Sequence, residues 1–390
     1  MAKTIAIIGG GIVGLSHAWA AARSGARVLL FERSPVAAGS SVRNFGMVWP
    51  IGQPRGAWHQ LALRSRQLWL EILSDAKIWY DPSGSLHLAY REDERAVLME
   101  FIQQAPADGY DCQWLDKSQV LDRSRAAQPR GLVGGMWSPT EVCVDPRQVT
   151  RELPKYLAEK WGVELHYGTG IESVTPTLVT ATDGRQWGVD GVIVASGAEL
   201  RSLYSDVLES AGGFRLCKLQ MLRTAPQPNG WRMGPMLAGG LTLRHYPTFK
   251  HCKSLVALKH RIATESPLLD QYGIHVMASQ TAAGEITLGD SHEYDAAIEP
   301  FDKEVINDLM LAELRGLIRL PDFAIAERWH GIYASRTEAP MFLHEPEAGV
   351  LLTISTGGCG MTMSFGLAEQ NIASWLGSQK VHKPATAATI

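Results

Sequence analysis

The stretch that decides the fold lies near the start of the chain and reads Gly9-Gly10-Gly11-Ile12-Val13-Gly14. An apolar run from Thr4 to Ile8 precedes it, and the residues from Val13 to Ser24 have the pattern of a helix. A second apolar run, Arg27 to Glu32, follows. This order of strand, glycine turn, helix and strand predicts a βαβ unit with parallel strands.

The glycines of this turn suit a nucleotide. In the pattern G-x-G-x-x-G, formed by Gly9, Gly11 and Gly14, the glycines permit a tight turn, close approach of a pyrophosphate and close helix packing. The amides that begin the helix bind phosphate oxygens. Glu32 ends the second strand and accepts hydrogen bonds from both ribose hydroxyls, but it would repel a 2′-phosphate. We predict a dinucleotide site that disfavours NADP, rather than a glycine turn that binds nothing.

A small polar segment after Glu32 and Arg33 separates FAD from NAD. It reads Gly39-Ser40-Ser41-Val42-Arg43-Asn44-Phe45-Gly46. Its small residues, one cation and one amide suit a chain that runs beside the pyrophosphate and the flavin edge. An NAD dehydrogenase does not need such a segment, so FAD is the predicted cofactor. A plain polar loop is the alternative interpretation.

Composition limits the remaining classes. The 390 residues are 45% apolar and 20% charged, with a formal net charge of -3, which gives no general attraction to nucleic acid. The five cysteines show no C-x-x-C spacing, so neither a metal site nor a disulfide framework is predicted, and a cytoplasmic location fits. The uncharged run Thr4 to Ala22 is explained by the glycine turn, so no membrane span is expected.

The rest of the chain predicts a second domain. Residues Lys218 to Leu288 look β-rich with several prolines, whereas Val350 to Ser355 and Ser364 to Leu376 return to strand and helix, before a free tail from about Gln379. The predicted fold class is α/β (α+β), a Rossmann-like FAD-binding domain with a mostly antiparallel substrate domain. We predict residues 1–85, 140–215 and 325–390 for the first domain, and 86–139 and 216–324 for the second.

The chain resembles the FAD-dependent amine and D-amino-acid oxidoreductase family that includes sarcosine oxidase and glycine oxidase. The resemblance covers nearly the whole chain and rests on the glycine motif, Gly39-Ser40-Ser41, Val194 to Gly197, and Ser355 to Thr362. It implies a C-terminal glycine loop that brings a helix N-terminus to the flavin. The predicted cofactor-binding residues are Gly9, Gly11, Ile12, Val13, Gly14, Glu32, Arg33, Ser40, Ser41, Arg43, Asn44, Gly46, Val174, Gly197, Gly331, Gly358, Gly360, Met361 and Thr362.

The chain also departs from the sarcosine oxidase branch. The flavin-attaching cysteine of that branch falls at Gly331, which implies non-covalent FAD. Its substrate-carboxylate arginine falls at Trp49 and the partner lysine at Thr362, so the usual carboxylate clamp is missing. The lysine that promotes reaction with oxygen falls at or beside Thr287, so either O2 or another electron acceptor is possible.

Two other segments are candidates for binding the substrate. Residues 243–251 place Arg244 and His245 among aromatic residues, which suits a phosphonate or phosphate dianion, although an exposed basic strand is an equal alternative. Residues 289–295 place His292 at a strand end, where it orients the amine or accepts its proton, or is only a turn histidine. Tyr333, with Trp49 and Met361, is expected to pack the substrate over the flavin.

These segments, with Arg43 and Asn44, are similar to a subgroup of the family found with bacterial 2-aminoethylphosphonate breakdown. That similarity predicts oxidation of an aminophosphonate or its N-methyl derivative by hydride transfer to flavin N5. The alternatives are an oxidase or dehydrogenase of a D-amino acid, glycine or sarcosine, with a carboxylate held by Arg43, Arg244 or Arg336. A flavin-binding module without activity and an NAD-dependent dehydrogenase are the remaining classes.

Overall fold

The structure is a computed structural model that describes residues 2–336, 340–355 and 357–381, with side chains as far as residue 375. Thr356 of the C-terminal glycine motif lies outside the described residues, as do residues 382–390 of the predicted tail. The backbone from Gln379 to Val381 continues the last helix.

Helices follow the amphipathic segments of the sequence and often begin after glycine or proline. The described residues form α1 (Ile12–Arg23), α2 (Ala57–Ala76), α3 (Glu92–Gln104), α4 (Lys117–Arg123), α5 (Pro146–Trp161), α6 (Ser205–Ala211), α7 (Leu255–Glu265), α8 (Pro267–Gln271), α9 (Glu304–Leu317) and α10 (Gly360–Val381).

Strands coincide with runs of β-branched and other apolar residues. They are β1 (Thr4–Ile8), β2 (Arg27–Glu32), β3 (Met47–Val48), β4 (Tyr80–Asp81), β5 (Ser85–Ala89), β6 (Gln113–Asp116), β7 (Gly134–Ser138), β8 (Val142–Val144), β9 (Glu164–Tyr167), β10 (Ile171–Thr175), β11 (Leu178–Ala181), β12 (Gln186–Gly188), β13 (Gly191–Val194), β14 (Arg215–Thr224), β15 (Met236–Ala238), β16 (Met277–Gln280), β17 (Ile286–Gly289), β18 (Glu293–Asp295), β19 (Ile325–Ser335), β20 (Met341–Glu347) and β21 (Val350–Ser355).

The first compact unit comprises Met1–Ser41, Thr150–Phe214 and Ala334–Ile390. Its sheet has the order β20-β21-β13-β1-β2-β9, and all neighbours are parallel except β20 and β21. β1 and β2 are buried along most of their length, as expected for central parallel strands. Helix α1 packs against α10, where the rings of Trp19 and Phe365 meet edge to face at 5.6 Å.

The second compact unit comprises Val42–Val149 and Arg215–Tyr333. Its main sheet has the order β18-β14-β17-β16-β15-β5-β7-β6, with β19 paired to β14. The pairs are antiparallel apart from β15 with β5 among the pairings described. Apolar side chains from this sheet and from α9 form one large core, which includes Leu222, Leu288 and Leu314.

The two units differ from the predicted domain bounds. Residues 42–85 and 140–149 group with the second unit, because β8 pairs with both β3 and β4. The buried Glu141 carboxylate joins these segments by accepting hydrogen bonds from the Ile51 amide (3.0 Å) and the Ser85 hydroxyl (2.9 Å). None of the helices among the described residues has the length and apolarity needed to cross a membrane.

Residues 240–271 were expected to be β-rich and instead form two 3-10 turns followed by α7 and α8. Proline at the first position of such turns favours helical geometry, and Pro247 and Pro267 occupy those positions here. Leu255, Leu258 and Ile262 recur at helical spacing and are buried. The interpretation of residues 243–251 as a basic strand is therefore wrong.

Candidate functional site

The glycine turn of the first unit has no room for side chains. Gly9 has a φ of 115°, and a Cβ there would lie 2.3 Å from the Ala195 oxygen. A Cβ on Gly14 would lie 1.9 Å from the Gly9 oxygen. Gly11, the N-cap of α1, offers no capping side chain, and the first turn of this helix holds no acidic residue. The helix N-terminus therefore fits a pyrophosphate.

Backbone amides hold Glu32 in place at the end of β2. Its two carboxylate oxygens accept hydrogen bonds from the Gly10 amide at 2.8 Å and the Ser34 amide at 2.9 Å. Ser41 lies across the turn, where its hydroxyl oxygen accepts a hydrogen bond from the Ile12 amide at 2.9 Å. The carboxylate is thus fixed before a ribose arrives, which suits the role predicted for it.

The other predicted cofactor residues of the first unit lie at turns and helix starts, except for Val174, which lies in a strand. Gly357 and Gly358 have φ values of 110° and 73°, which favour glycine, and α10 begins immediately afterwards at Gly360. Met361 and Thr362 are buried in the first turn of α10. Val174 lies in β10, Gly197 follows β13 with a φ of 63°, and Ser40 begins a 3-10 turn.

Arg33, also predicted to bind the cofactor, has a largely exposed side chain. Its side chain is 68% exposed and pairs with Glu199 at 3.2 Å. An exposed ion pair of this kind contributes little energy, and the structure does not bring its guanidinium to the glycine turn through any described contact.

Four predicted cofactor residues belong to the second unit. Arg43 donates a hydrogen bond to the His330 carbonyl at 3.1 Å and accepts one at its own carbonyl from the Trp329 indole at 3.2 Å. Asn44 accepts a hydrogen bond from the Gly46 amide at 2.8 Å. A Cβ on Gly331 would lie 3.2 Å from Leu219 and 3.3 Å from the Arg43 oxygen. A cysteine at that position would be crowded.

Three imidazoles meet in the second unit. We call His245, His275 and His292 the histidine cluster; their ring centroids are 4.1 Å (His245 to His275), 4.5 Å (His245 to His292) and 4.8 Å (His275 to His292) apart. His275 and His292 are buried, and His245 is half-buried. His275 precedes β16 and is tied to Asp290 by backbone hydrogen bonds in both directions. His275 was not among the residues predicted from the sequence, since no motif marks it.

Burial controls the charge of the cluster. It lowers the pKa of His292 to about 4, and it holds the pKa values of His245 and His275 well below the ordinary value. Burial also raises the pKa of Asp290, whose side chain lies 3.2 Å from Nε2 of His275. The imidazoles are therefore neutral near pH 7 and their nitrogen lone pairs are available.

Aromatic rings surround the cluster within the same unit. Tyr333 lies 6.3 Å from His292, and Tyr246 lies 5.2 Å from His245, between ring centroids. Trp49 stacks on Tyr246 at 6.2 Å. Of the residues predicted for substrate and catalysis, the structure thus brings together His292, Tyr333, His245 and Trp49.

Arg244 does not join this group. Its guanidinium forms an ion pair with Asp270 and donates hydrogen bonds to the carbonyl oxygens of Leu269 (3.1 Å) and Ile274 (2.8 Å). Arg244 therefore links α8 to the residues that lead into β16. The prediction that Arg244 binds the substrate anion has no support in this geometry.

Known proteins resemble this chain along most of its length. The model of the DAO family, FAD dependent oxidoreductase, matches residues 4–373. Glycine oxidase of Geobacillus kaustophilus is 27% identical over 205 residues, which are 50% of this chain and 54% of that protein. A subunit of the opine oxidase of Agrobacterium tumefaciens is 23% identical over 379 residues, which are 93% of this chain and 90% of that protein.

The fold comparison agrees with the family match. The crystal structure of glycine oxidase from Geobacillus kaustophilus has a TM-score of 0.76 and 18% identity, covering 95% of each chain. A glycine turn at a helix N-terminus with a fixed carboxylate at the next strand end defines a dinucleotide-binding protein of the α/β class, and the family match identifies the dinucleotide as FAD. The chain belongs to the DAO family of FAD-dependent oxidoreductases, and the predicted family, fold class and FAD cofactor are confirmed.

Proposed function

We propose that the protein oxidises the carbon next to nitrogen in a small amine that carries an anionic group. When bound, FAD would supply the two-electron acceptor for a hydride from that carbon. A base would take the amine proton, and water would hydrolyse the imine to an aldehyde and either ammonia or, from an N-alkylated substrate, a free amine. The favoured substrate is an aminophosphonate, such as 2-aminoethylphosphonate or its N-methyl derivative. A relative named glycine oxidase supports the amine class.

The observation that carries the proposal is the meeting of two segments that the sequence marked separately. Residues 243–251 and 289–295 supply His245 and His292, whose rings lie 4.5 Å apart. The N–H of the His245 imidazole, which lies beside the Tyr246 ring, is suited to bind a phosphonate oxygen. His292, neutral because burial lowers its pKa to about 4, also has the charge state needed to accept the amine proton.

An amino acid is the second candidate substrate. The relatives named as a glycine oxidase and as a part of an opine oxidase favour a carboxylate in place of the phosphonate. Against it, the positions of the sarcosine oxidase clamp are Trp49, which stacks on Tyr246, and Thr362, which is buried in α10. Neither side chain is a cation, so the carboxylate of a simple amino acid needs other donors.

Three further properties belong to the proposal. Non-covalent FAD is supported by the crowding that a cysteine would meet at Gly331. An electron acceptor other than O2 is supported by Thr287, a buried threonine of β17 at or beside the place of the oxygen-activating lysine. A cytoplasmic location is supported by five cysteines that are all free thiols.

Anaerobic flavin bleaching tests the proposal. The purified yellow protein is mixed with 2-aminoethylphosphonate, its N-methyl derivative, sarcosine, glycine and D-alanine, and absorbance is followed. We expect bleaching by an aminophosphonate at concentrations where the amino acids do nothing. Bleaching by an amino acid alone would exclude the phosphonate while leaving the amine class intact. Yellow colour in the supernatant after acid precipitation shows non-covalent FAD.

A further inference from the structure

The histidine cluster contains buried ring nitrogens that form no hydrogen bond with any described residue. His275 is 3% exposed, and neither of its ring nitrogens has a hydrogen-bond partner among the described residues. Its Nε2 lies 3.2 Å from Oδ1 of Asp290, which also lacks hydrogen-bond geometry to any described donor. Leaving such groups unsatisfied costs free energy, so these atoms point to a ligand.

The spacing of the cluster fits a cation. One ring nitrogen from each of His245, His275 and His292 lies within 4.8 Å of the others. Four nitrogen ligands about 2.0–2.1 Å from a tetrahedral ion are roughly 3.4 Å apart, so the longest separation would shorten by about 1.4 Å when the ion binds.

Neighbouring oxygen atoms orient the imidazole rings, as the residues around a metal site usually do. Nδ1 of His292 lies 3.3 Å from the Gly273 carbonyl and donates to it in the matching tautomer, which leaves the Nε2 lone pair free. The Asp290 carboxyl lies beside His275, where it serves either as a fourth ligand or as the partner that fixes the ring. Backbone hydrogen bonds between residues 275 and 290 hold both side chains at the site.

We propose that His245, His275 and His292 bind one divalent transition-metal ion, with Asp290 as the adjacent carboxylate. Three imidazoles and a carboxylate form a donor set suited to Zn²⁺, and also to Co²⁺ or Ni²⁺. The sequence predicts no metal because its cysteines lack ligand spacing and these histidines come from three separate segments.

The ion also resolves a charge problem in the proposed function, on which this part of the inference rests. Neutral imidazoles next to a carboxyl group offer a dianion little positive charge, whereas a divalent ion with an open coordination position attracts phosphonate oxygens. A lone pair of His292 that coordinates the ion does not accept the amine proton. His292 then holds the anionic end of the substrate, and the proton leaves to another base.

Metal binding is measured on untagged full-length protein, because a histidine tag would bind metal itself. The protein is stripped with a chelator, loaded with Zn²⁺, dialysed and analysed for metal and flavin. We expect about one Zn²⁺ per chain, and tetrahedral Co²⁺ bands after exchange. His275→Asn should weaken the affinity at least about 100-fold, while the exposed His260→Asn control on α7 retains it.

The outcomes test the metal site and the proposed substrate separately. Zinc that persists in His275→Asn, His292→Asn and Asp290→Asn alike, or a stripped protein that takes up none, overturns the proposed site. If one variant fails to fold, as judged by flavin content, the remaining two decide. Flavin bleaching of stripped and loaded protein then tests the anion role: a KM for the aminophosphonate about 10-fold lower with metal supports it. Metal binding with no phosphonate oxidation would contradict only the proposed substrate.

Discussion

The nucleotide-binding turn of the first unit and the histidine cluster of the second are built in opposite ways. The turn is continuous in sequence and acts through its backbone, from Gly9 to Gly14, with Glu32 fixed by amides. The cluster gathers three side chains from distant segments, and each depends on burial for its charge. A function carried by backbone shape is visible as a motif, whereas one carried by tertiary proximity is not.

The largest effect is expected for a substitution that distorts the backbone of the nucleotide-binding turn. In Gly14→Ala the new Cβ would lie 1.9 Å from the Gly9 oxygen, so the turn must distort. We expect FAD affinity to fall more than about 100-fold, measured by flavin content and fluorescence titration. Gly188→Ala in β12 is the matched control, because a Cβ there meets nothing within 4 Å. Equal FAD affinity in both variants would refute the backbone role.

The second prediction concerns a substitution in the histidine cluster that leaves the nucleotide-binding turn intact. His292→Asn should leave FAD content unchanged and lower kcat/KM for the amine substrate about 100-fold, because a proton acceptor or anion ligand is lost. Stopped-flow flavin reduction measures this, with the exposed His260→Asn as control. A variant that loses its flavin instead would show that the two regions are not separable in this way.

The third prediction concerns the one side chain on which the turn relies. Glu32→Ala removes a charged acceptor that two amides share, at 2.8 and 2.9 Å, and also the predicted ribose contact. We expect FAD affinity to fall about 10-fold, which is smaller than for Gly14→Ala. Glu172→Ala, an exposed position of β10, is the control. A loss equal to that of Gly14→Ala would mean that the turn acts through Glu32.

Acid should expose the dependence of the second unit on neutral histidines. His87 is buried between Trp49 and Phe249, and burial lowers its pKa to about 3. The unfolded chain therefore binds more protons below pH 6.5, and the free energy of unfolding falls as the pH drops towards 3. At pH 5 this one residue costs about 2 kcal/mol.

Replacing His87 tests whether its protonation lowers the free energy of unfolding at acidic pH. His87→Phe should raise Tm by about 2–3 °C at pH 5 relative to the wild type, with a smaller change at pH 7.5. Thermal unfolding followed by circular dichroism is the measurement, and exposed His260→Phe serves as the control. The same shift at both pH values would point to packing rather than protonation.

The smallest effect is expected at Arg33. Because its guanidinium is largely exposed and paired with Glu199, Arg33→Ala should change FAD affinity less than about threefold. Fluorescence titration against Glu199→Gln compares the two halves of the pair. A tenfold loss in Arg33→Ala alone would restore the cofactor role that the sequence predicts.

Sequence predicted most of the first unit because its signals are local. The bounds of β1, β2 and β21 match the apolar runs, and the glycine pattern fixes the start of α1. Residues 240–271 were predicted poorly, since their apolar residues suit a helix as well as a strand until the packing partners are known. Arg244 looked like an anion ligand for the same reason, as its partner Asp270 lies on another element.

The first sheet has a consequence for how the protein is made. β1 pairs with β2 and with β13, and β13 pairs in turn with β21, so a sheet that begins with residues 4–32 is completed only by strands near residues 191 and 350. Helix α10, which covers α1, comes later still. Contacts so far apart in sequence slow folding. The flavin-binding sheet can therefore close only after the ribosome has released the chain beyond residue 355, so this unit forms late in biogenesis.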